Sequence, residues 1–350
     1  MKYRVMLSAF AVCLACTASA TAQAEQVNHE EITLSADEFR FEALPSTFAR
    51  RVADDRAMLA KVGIGDPETE SKGLFNAFTI WMVDDVPVVK VCFFGGSQET
   101  RTLIARIALE WKQVAPGVPL DFGDASNPRL CKPGEINHIR VGFHNPDAAG
   151  YWSLPGKASV VVADQSEQSM NLQDFDTNPP PPEIFRQTVL HEFGHALGLA
   201  HEHQHLAGQC DNEFNWPEIY RMLKEPPNEW DKDQVDEQMR AINTPDHLGT
   251  EYDNKSIMKY WFPPEFYKKG MDSPCYSPMN FDLSEGDKDL IRSLYPEDIA
   301  ERRAVQGLIV EHMENVIRQL QASADTKSAL NQIIDQYIPK NVSGATATQE

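Results

Sequence analysis

The feature that most constrains this 350-residue chain is one run near its middle, H-E-x-x-H-x-x-G-x-x-H. Its first two histidines, His191 and His195, lie in a helix predicted over residues 183–197, because Pro182 suits a first helical turn and Gly198 would end the helix. Residues four apart share one helix face, so both imidazoles can reach one metal ion. The run therefore predicts a helix that carries a metal site.

The rest of the run adds a third ligand and a base. Gly198 allows a sharp turn, so that His201 can supply a third nitrogen, and three neutral nitrogens with an open position are typical of catalytic zinc. Glu192 stands beside the first ligand, where it suits a water at the metal. These five residues would meet at this spacing by chance on the order of once in ten thousand. A helix with unrelated surface histidines is therefore disfavoured.

The extended run resembles the zinc motif of the metzincin group, and other segments are similar to the astacin-like family of zinc metallopeptidases. Glu202 follows the third histidine, and residues 256–260 (Ser-Ile-Met-Lys-Tyr) resemble that family's Met-turn. The segments 150–153, 283–287 and 294–295 and the helical Trp111 also look like family segments. The resemblance runs from about residue 80 to 296.

The resemblance implies an α+β fold: a two-lobed metzincin-type catalytic domain with a mixed β-sheet, a zinc-binding active-site helix and a Met-turn. It implies a zinc-dependent endopeptidase with one catalytic Zn²⁺, in which Glu192 is the general base. Met258 would lie beneath the metal, and Tyr260 would be a possible fourth protein ligand that later binds the oxyanion. Glu202 would contact the N-terminus formed by removal of a prosegment. Asp66 is the nearest candidate for an inhibitory prosegment aspartate, although Gly65-Asp66-Pro67 also describes a simple turn.

Two alternatives to this function stay open at the level of sequence. The chain could be a metzincin of another subgroup, or a zinc-binding adhesion or binding module without catalysis. Retention of Glu192, Gly198, Met258 and Tyr260 argues against the binding module. The segment 203–205 (His-Gln-His) is interpreted as loop residues or supports of the ligands rather than as extra ligands.

The N-terminal residues predict export. Lys2 and Arg4, a short apolar run and small residues up to residue 24 are typical of a secretory signal peptide at 1–24, and the run is too short to span a bilayer. A lipid anchor on Cys16 is the alternative. The further divisions are a prosegment or N-terminal arm at 25–79, the catalytic domain at 80–297 and a C-terminal helical extension at 298–350. The expected location is secreted, either periplasmic or extracellular.

Charge and cysteines bear on partners and compartment. A formal charge of −20 opposes nucleic acid as a partner, and no segment after the signal is long and apolar enough for a membrane span. The expected partner is a peptide or protein substrate, and the oligomeric state stays open. Outside the signal, four cysteines suit an oxidising compartment and allow three pairings. Cys92 with Cys131 and Cys210 with Cys275 are favoured, because each pair falls within one half of the chain.

Periodicity predicts the remaining elements. We expect helices at 46–62, 100–114, 216–223 and 284–295, and a helical hairpin over 299–337. We expect a hairpin or two successive strands over 75–93, and further strands at 136–143 and 158–163. The strand at 158–163 would form the upper rim of the cleft.

Overall fold

The structure is a computed structural model, and its described residues belong to one compact unit, Leu34–Glu350. It describes residues 44–45, 47–49, 73–77, 79–82, 88–226, 228–243, 247–249 and 251–319. The strands are β1 (Leu74–Asn76), β2 (Val89–Phe93), β3 (Leu120–Asp121), β4 (Gly123–Asp124), β5 (Asn127–Pro128), β6 (Ile139–Gly142), β7 (Tyr151–Ser153), β8 (Met170–Leu172) and β9 (His247–Gly249). The α-helices are α1 (Gln98–Ala108), α2 (Glu110–Val114), α3 (Ala158–Val161), α4 (Pro182–Ala196), α5 (Cys210–Glu213), α6 (Trp216–Leu223), α7 (Lys232–Met239), α8 (Glu285–Leu294) and α9 (Ile299–Gln319).

A mixed five-stranded sheet forms the first part of the fold, in the order β3-β2-β6-β8-β7. β2 pairs in parallel with β3 and β6, and β6 pairs in parallel with β8, whereas β7 runs antiparallel to β8. All four residues of β6 are buried, as expected for an inner parallel strand covered on both faces. The predicted α+β class with a mixed sheet is confirmed.

Helices α1 and α2 occupy the predicted 100–114 segment. α1 begins at an N-cap, because the Ser97 side chain accepts a hydrogen bond from the Thr100 amide. Its buried face includes Ile104 and Ile107. In α2 the fully buried Trp111 donates from its indole Nε1 to the Leu190 carbonyl of α4 at 3.0 Å. The helical pair thereby supports the helix that carries the histidines.

The predicted strand at 158–163 is wrong, because residues Ala158–Val161 are helix α3. The valine-rich sequence favours a strand by local propensity, but tertiary contacts override it. The buried Arg140 guanidinium donates to the carbonyls of Ser159 at 2.6 Å and Ala163 at 3.1 Å. These contacts use carbonyl groups that a strand would offer to a neighbour. The sheet ends instead at β7, so the rim strand expected at 158–163 is not there.

No hairpin forms among the described residues of 75–93: the second expected strand is β2, whereas Ile80 and Met82 of the first lie outside any strand. β1 pairs antiparallel with β9, far along the chain, whereas β2 lies in the five-stranded sheet. β1 also lies before residue 80, the expected first residue of the catalytic domain. Sequence periodicity therefore predicted β2 but not β1, whose partner β9 is distant in the chain.

A second hydrophobic cluster lies under the irregular segment that follows the zinc motif. It contains buried residues from α5, α6 and α7 together with Phe262 and Phe266. The Cys210–Cys275 disulfide lies within this cluster, and Cys92–Cys131 links the end of β2 to the segment after β5. Both expected pairings are confirmed.

Helix α9 confirms the start of the expected C-terminal helices. Ile309 and Val310 are buried in the main core, and the Gln306 side chain donates to the Trp81 carbonyl at 3.0 Å. Among the described residues, no helix has the length and apolar character needed to cross a membrane. The signal segment, Asp66, most of the helix expected at 46–62 and the chain after 319 lie outside the described residues.

Candidate active site

Helix α4 brings the first two histidines and Glu192 into a buried setting. The last nine residues of this helix, from Thr188 on, are all buried, and Glu192 is only 2% exposed. Carbonyl groups at a helix end have no partner within the helix. Here the Trp81 indole donates to the Ala196 carbonyl and the Tyr295 hydroxyl donates to the Leu197 carbonyl, each at 2.8 Å. The end of the helix is therefore fixed by side chains from two distant segments.

The three predicted ligands converge. The Nε2 atom of His195 lies 3.1 Å from Nε2 of His191 and 2.9 Å from Nε2 of His201. All three residues are buried, and they form the group of histidine, cysteine and acidic residues that could hold a metal ion among the described residues. The structure thus brings together the three histidines that the sequence predicts as ligands.

The protonation pattern of the triad fits a cation. Nδ1 of His191 faces the Ile257 carbonyl and Nδ1 of His195 faces the Leu199 carbonyl, each at 2.8 Å. A carbonyl only accepts, so both Nδ1 atoms carry protons and both neutral rings present lone pairs at Nε2. Such lone pairs repel one another at this separation unless a cation lies among them. Tetrahedral zinc, with Zn–N bonds of about 2.0–2.1 Å, would hold its nitrogens roughly 3.3 Å apart, so the residues fit one zinc ion.

Gly198 performs the turn that the spacing required. Its φ of +95° lies in the left-handed region, and an added Cβ would approach Cγ2 of Ile80 to 3.0 Å and the Ile80 backbone to 3.4 Å. The Gly198 amide donates to the His195 carbonyl at 2.7 Å. The chain can therefore reverse directly after α4 and bring His201 back to the other ligands.

Met258 lies against the underside of α4. An added Cβ at Gly194 would overlap the Met258 sulfur, so only glycine permits this close packing. The Met258 carbonyl also accepts the Glu202 amide at 3.0 Å. The Met-turn thus contacts the active-site helix and the segment of the third histidine, and the place of Met258 beneath a metal stays a prediction.

Glu202 is almost fully buried beside the third ligand. Its Oε1 accepts the Asp253 amide at 2.7 Å, and burial raises the pKa of the carboxyl well above its usual range. Oε2 lies near Gly73, directly before β1: a Cβ built on Gly73 would stand 3.8 Å from it. The contact with a new N-terminus stays a prediction.

Tyr260 packs among the histidines. Its ring centroid lies 5.3 Å from His191, 4.3 Å from His201 and 5.3 Å from His203. The next residue back, Lys259, donates from Nζ to the Ser277 hydroxyl at 3.0 Å, and burial lowers the pKa of its ammonium to about 7. The aromatic packing puts Tyr260 beside the triad, and its role as a ligand stays a prediction.

The residues after Glu202 support the site from behind. His203 Nε2 donates to the Gln238 carbonyl at 2.9 Å, and the side-chain Nε2 of Gln204 donates to the Glu237 and Arg240 carbonyls. These carbonyls lie at the end of α7, where the helix leaves acceptors without internal partners. The Ala207 amide donates to Nδ1 of His205. This geometry agrees with the interpretation of 203–205 as supporting residues, and none of them belongs to the converging metal group.

Sequence reasoning missed the part played by Asp287, which lies at the third position of α8. Its carboxylate accepts the Ser284 amide in a capping box and also holds residues of the Met-turn. The S-x-x-D pattern at 284–287 is a sequence signal for the cap. No local signal indicates the contact with the Met-turn.

Comparison with known proteins shows that these residues are similar to one peptidase family. Residues 183–274 match the sequence model of the Astacin peptidase family. The chain is similar to the zinc metalloproteinase nas-13 of Caenorhabditis elegans, with 31% identity over 155 residues, or 44% of this chain and 28% of that protein. The chain thus spans just over a quarter of that relative's length.

The fold is similar to the solved structure of myroilysin, with a TM-score of 0.54 and 29% identity. The likeness covers 65% of this chain and all of that one. It agrees with the family match and with the converging histidine triad. Around the histidine triad, residues 183–274 of the chain are therefore similar to the astacin family of peptidases, and the triad is able to bind one metal ion.

Proposed function

We propose that the protein is an exported zinc endopeptidase that hydrolyses peptide bonds of protein substrates. The observation that carries this proposal is the convergence of His191, His195 and His201, with Glu192 buried on the helix that carries the first two. The family match supports the same chemistry. A binding module needs the three ligands but has no use for the adjacent carboxylate.

Glu192 would act as the general base. Zinc held by the three imidazoles would supply Lewis-acid activation of the scissile carbonyl and of water. The Glu192 carboxylate would accept the proton of the attacking water and pass it to the departing amine. The motif places no other carboxylate on α4 between the two helical ligands, which favours Glu192 for this role.

Tyr260 would assist at the oxyanion. Its phenol can donate a hydrogen bond to the oxygen that gains charge in the transition state. The ring already lies beside two of the three histidines, with centroid distances of 5.3 and 4.3 Å. As a possible fourth ligand, it would leave that position before it donates the bond.

Export rests on separate observations. The two disulfides are typical of an oxidising compartment. From the sequence we propose four segments: a signal peptide at 1–24, an N-terminal arm or prosegment at 25–79, the catalytic domain at 80–297 and a C-terminal helical extension at 298–350. N-terminal sequencing of the protein recovered from the growth medium or periplasm tests these boundaries.

The function itself is tested by cleavage of denatured casein with the mature protein. We expect cleavage that a chelator abolishes and stoichiometric zinc restores. A folded, zinc-loaded mature protein that cleaves neither casein nor a peptide library would contradict the proposal and favour the binding module.

A further inference from the structure

We propose that Asp287 is a positioning residue for the metal ligand His191, acting through a chain of hydrogen bonds that crosses the Met-turn. This inference rests on the proposed zinc chemistry, because its consequence is the strength of one zinc ligand. Asp287 belongs to α8, a separate segment of the chain, and its hydrogen bonds described below reach the Met-turn and the start of α8 rather than the histidines.

The chain begins at the ligand. Nδ1 of His191 donates to the Ile257 carbonyl at 2.8 Å, because that oxygen can only accept. The same peptide group carries the Met258 amide, which donates to the Ser256 hydroxyl oxygen at 3.0 Å. The two bonds therefore lie at opposite ends of one conjugated peptide unit.

The chain ends on a buried charge. The Ser256 hydroxyl donates to Oδ1 of Asp287 at 2.6 Å. The Asp287 residue is 4% exposed, so water screens this carboxylate little. Every donor from His191 onward thus points toward Asp287, and hydrogen bonds that run in one direction polarise and strengthen one another.

The second carboxylate oxygen fixes the turn mechanically. Oδ2 of Asp287 accepts the Ile257 amide at 2.8 Å and the Ser284 amide at 2.8 Å. The turn therefore cannot shift without breaking bonds to α8. Asp287 holds the Ile257 carbonyl in place. Its negative charge, acting through the hydrogen-bond chain, pushes electron density onto the oxygen of that carbonyl.

A polarised carbonyl accepts the Nδ1 proton of His191 more strongly, which raises the basicity of Nε2 toward the metal. The neighbouring ligand His195 offers an internal contrast. Its Nδ1 donates to the Leu199 carbonyl, and the amide of that peptide unit, Ala200, donates to the Leu74 carbonyl at 2.8 Å. That chain leads to a neutral group, so the charge acts on His191 selectively.

The experiment measures zinc affinity of the full chain by competition with a chromophoric chelator at neutral pH. Asp287→Asn keeps the size of the side chain and removes its charge, and Ser256→Ala cuts the chain at the hydroxyl. The matched control is Asp253→Asn, since Asp253 binds the Ser284 hydroxyl in the same polar cluster but has no bond to the Met-turn peptide that faces His191. We expect about tenfold weaker zinc binding in both chain variants and less than a twofold change in the control.

A second measurement separates polarisation from general loosening. The ¹⁵N and ¹H shifts of the His191 imidazole in the zinc-loaded protein should move in Asp287→Asn, and those of His195 should stay near their wild-type values. Zinc affinity within twofold of wild type in a folded Asp287→Asn or Ser256→Ala protein would overturn the proposal, as would an equal loss in Asp253→Asn. If Asp287→Asn does not fold, Ser256→Ala decides alone. A wild type that binds zinc but cleaves nothing would contradict the proposed function and leave these affinity ratios meaningful.

Discussion

Glu192 illustrates how one side chain can be tested without removing the metal. Glu192→Gln keeps the volume of the side chain but cannot accept a proton, so we expect peptide cleavage to fall by about 10²–10⁴-fold. Because the three histidines are untouched, bound zinc should stay at one ion per chain by elemental analysis. Full activity in the zinc-loaded variant would exclude Glu192 as the base.

Tyr260 lies beside the ligands rather than on the active-site helix, and its loss should affect a different step. Tyr260→Phe keeps the ring that packs on His201 and removes only the hydroxyl. We expect kcat to fall by about 10²-fold, because one transition-state hydrogen bond is lost. KM should stay within about threefold, since the ground-state contacts remain. A fall in affinity with kcat unchanged would assign the hydroxyl to substrate binding instead.

The turn after α4 requires glycine at position 198, and adding one methyl group there tests that requirement. Gly198→Ala must adopt φ near +95° and press on Ile80, so we expect the free energy of unfolding to fall by about 1–3 kcal/mol. The matched control is Gly307→Ala in α9, where nothing lies within 4 Å of an added Cβ. That control should be neutral or stabilise by about 0.5–1 kcal/mol, because alanine suits a helix better. Equal urea midpoints for both variants would contradict the strain argument.

The cap of α8 links the stability of an element to pH. Burial raises the pKa of the Asp287 carboxyl to about 6 in the folded protein, above about 3.9 in an unfolded chain. The folded state therefore holds this proton more tightly. The protonated Asp287 carboxyl therefore adds to the free energy of unfolding. This contribution is fully present below about pH 4 and is lost as pH rises through about 6.

This prediction is tested by urea unfolding of the zinc-free protein, kept in a chelator, at several pH values from 4 to 7. The free energy of unfolding of wild type, relative to Asp287→Asn, should fall as pH rises through this window. A relative stability that is constant or rises with pH would show that Asp287 does not carry the raised pKa.

At the scale of the whole molecule, the second hydrophobic cluster depends on a covalent link. Cys210 and Cys275 are 65 residues apart, so their disulfide restricts a long loop of the unfolded chain. Cys210→Ala with Cys275→Ala should lower the free energy of unfolding by about 2–5 kcal/mol. Differential scanning calorimetry of the double variant and of the reduced wild type tests this expectation. Melting temperatures equal to that of the oxidised wild type would show that packing alone holds the cluster.

The sequence predicts the features that depend on neighbouring residues, and it fails for those that depend on contacts between distant segments. The helix over 183–197 and the ligands on it were predictable, because helical periodicity and end signals are local. The two disulfides were favoured correctly on chain position. The strand expected at 158–163 failed because Arg140, which belongs to β6, binds the carbonyls of that segment. The partner of β1 was equally out of reach, since β9 lies in a distant part of the chain.

By itself the sequence predicted the metal site: eleven consecutive residues contain three histidines that could bind a metal, one glutamate and the glycine that turns the chain. Only the tertiary structure decided what holds those groups in place. The Ile257 carbonyl behind His191, the Met258 sulfur beneath Gly194 and the Asp287 carboxylate all come from segments far from the helix in sequence. Local spacing fixes which side chains share a helix face, whereas the packing of separate segments fixes the protons and charges around them.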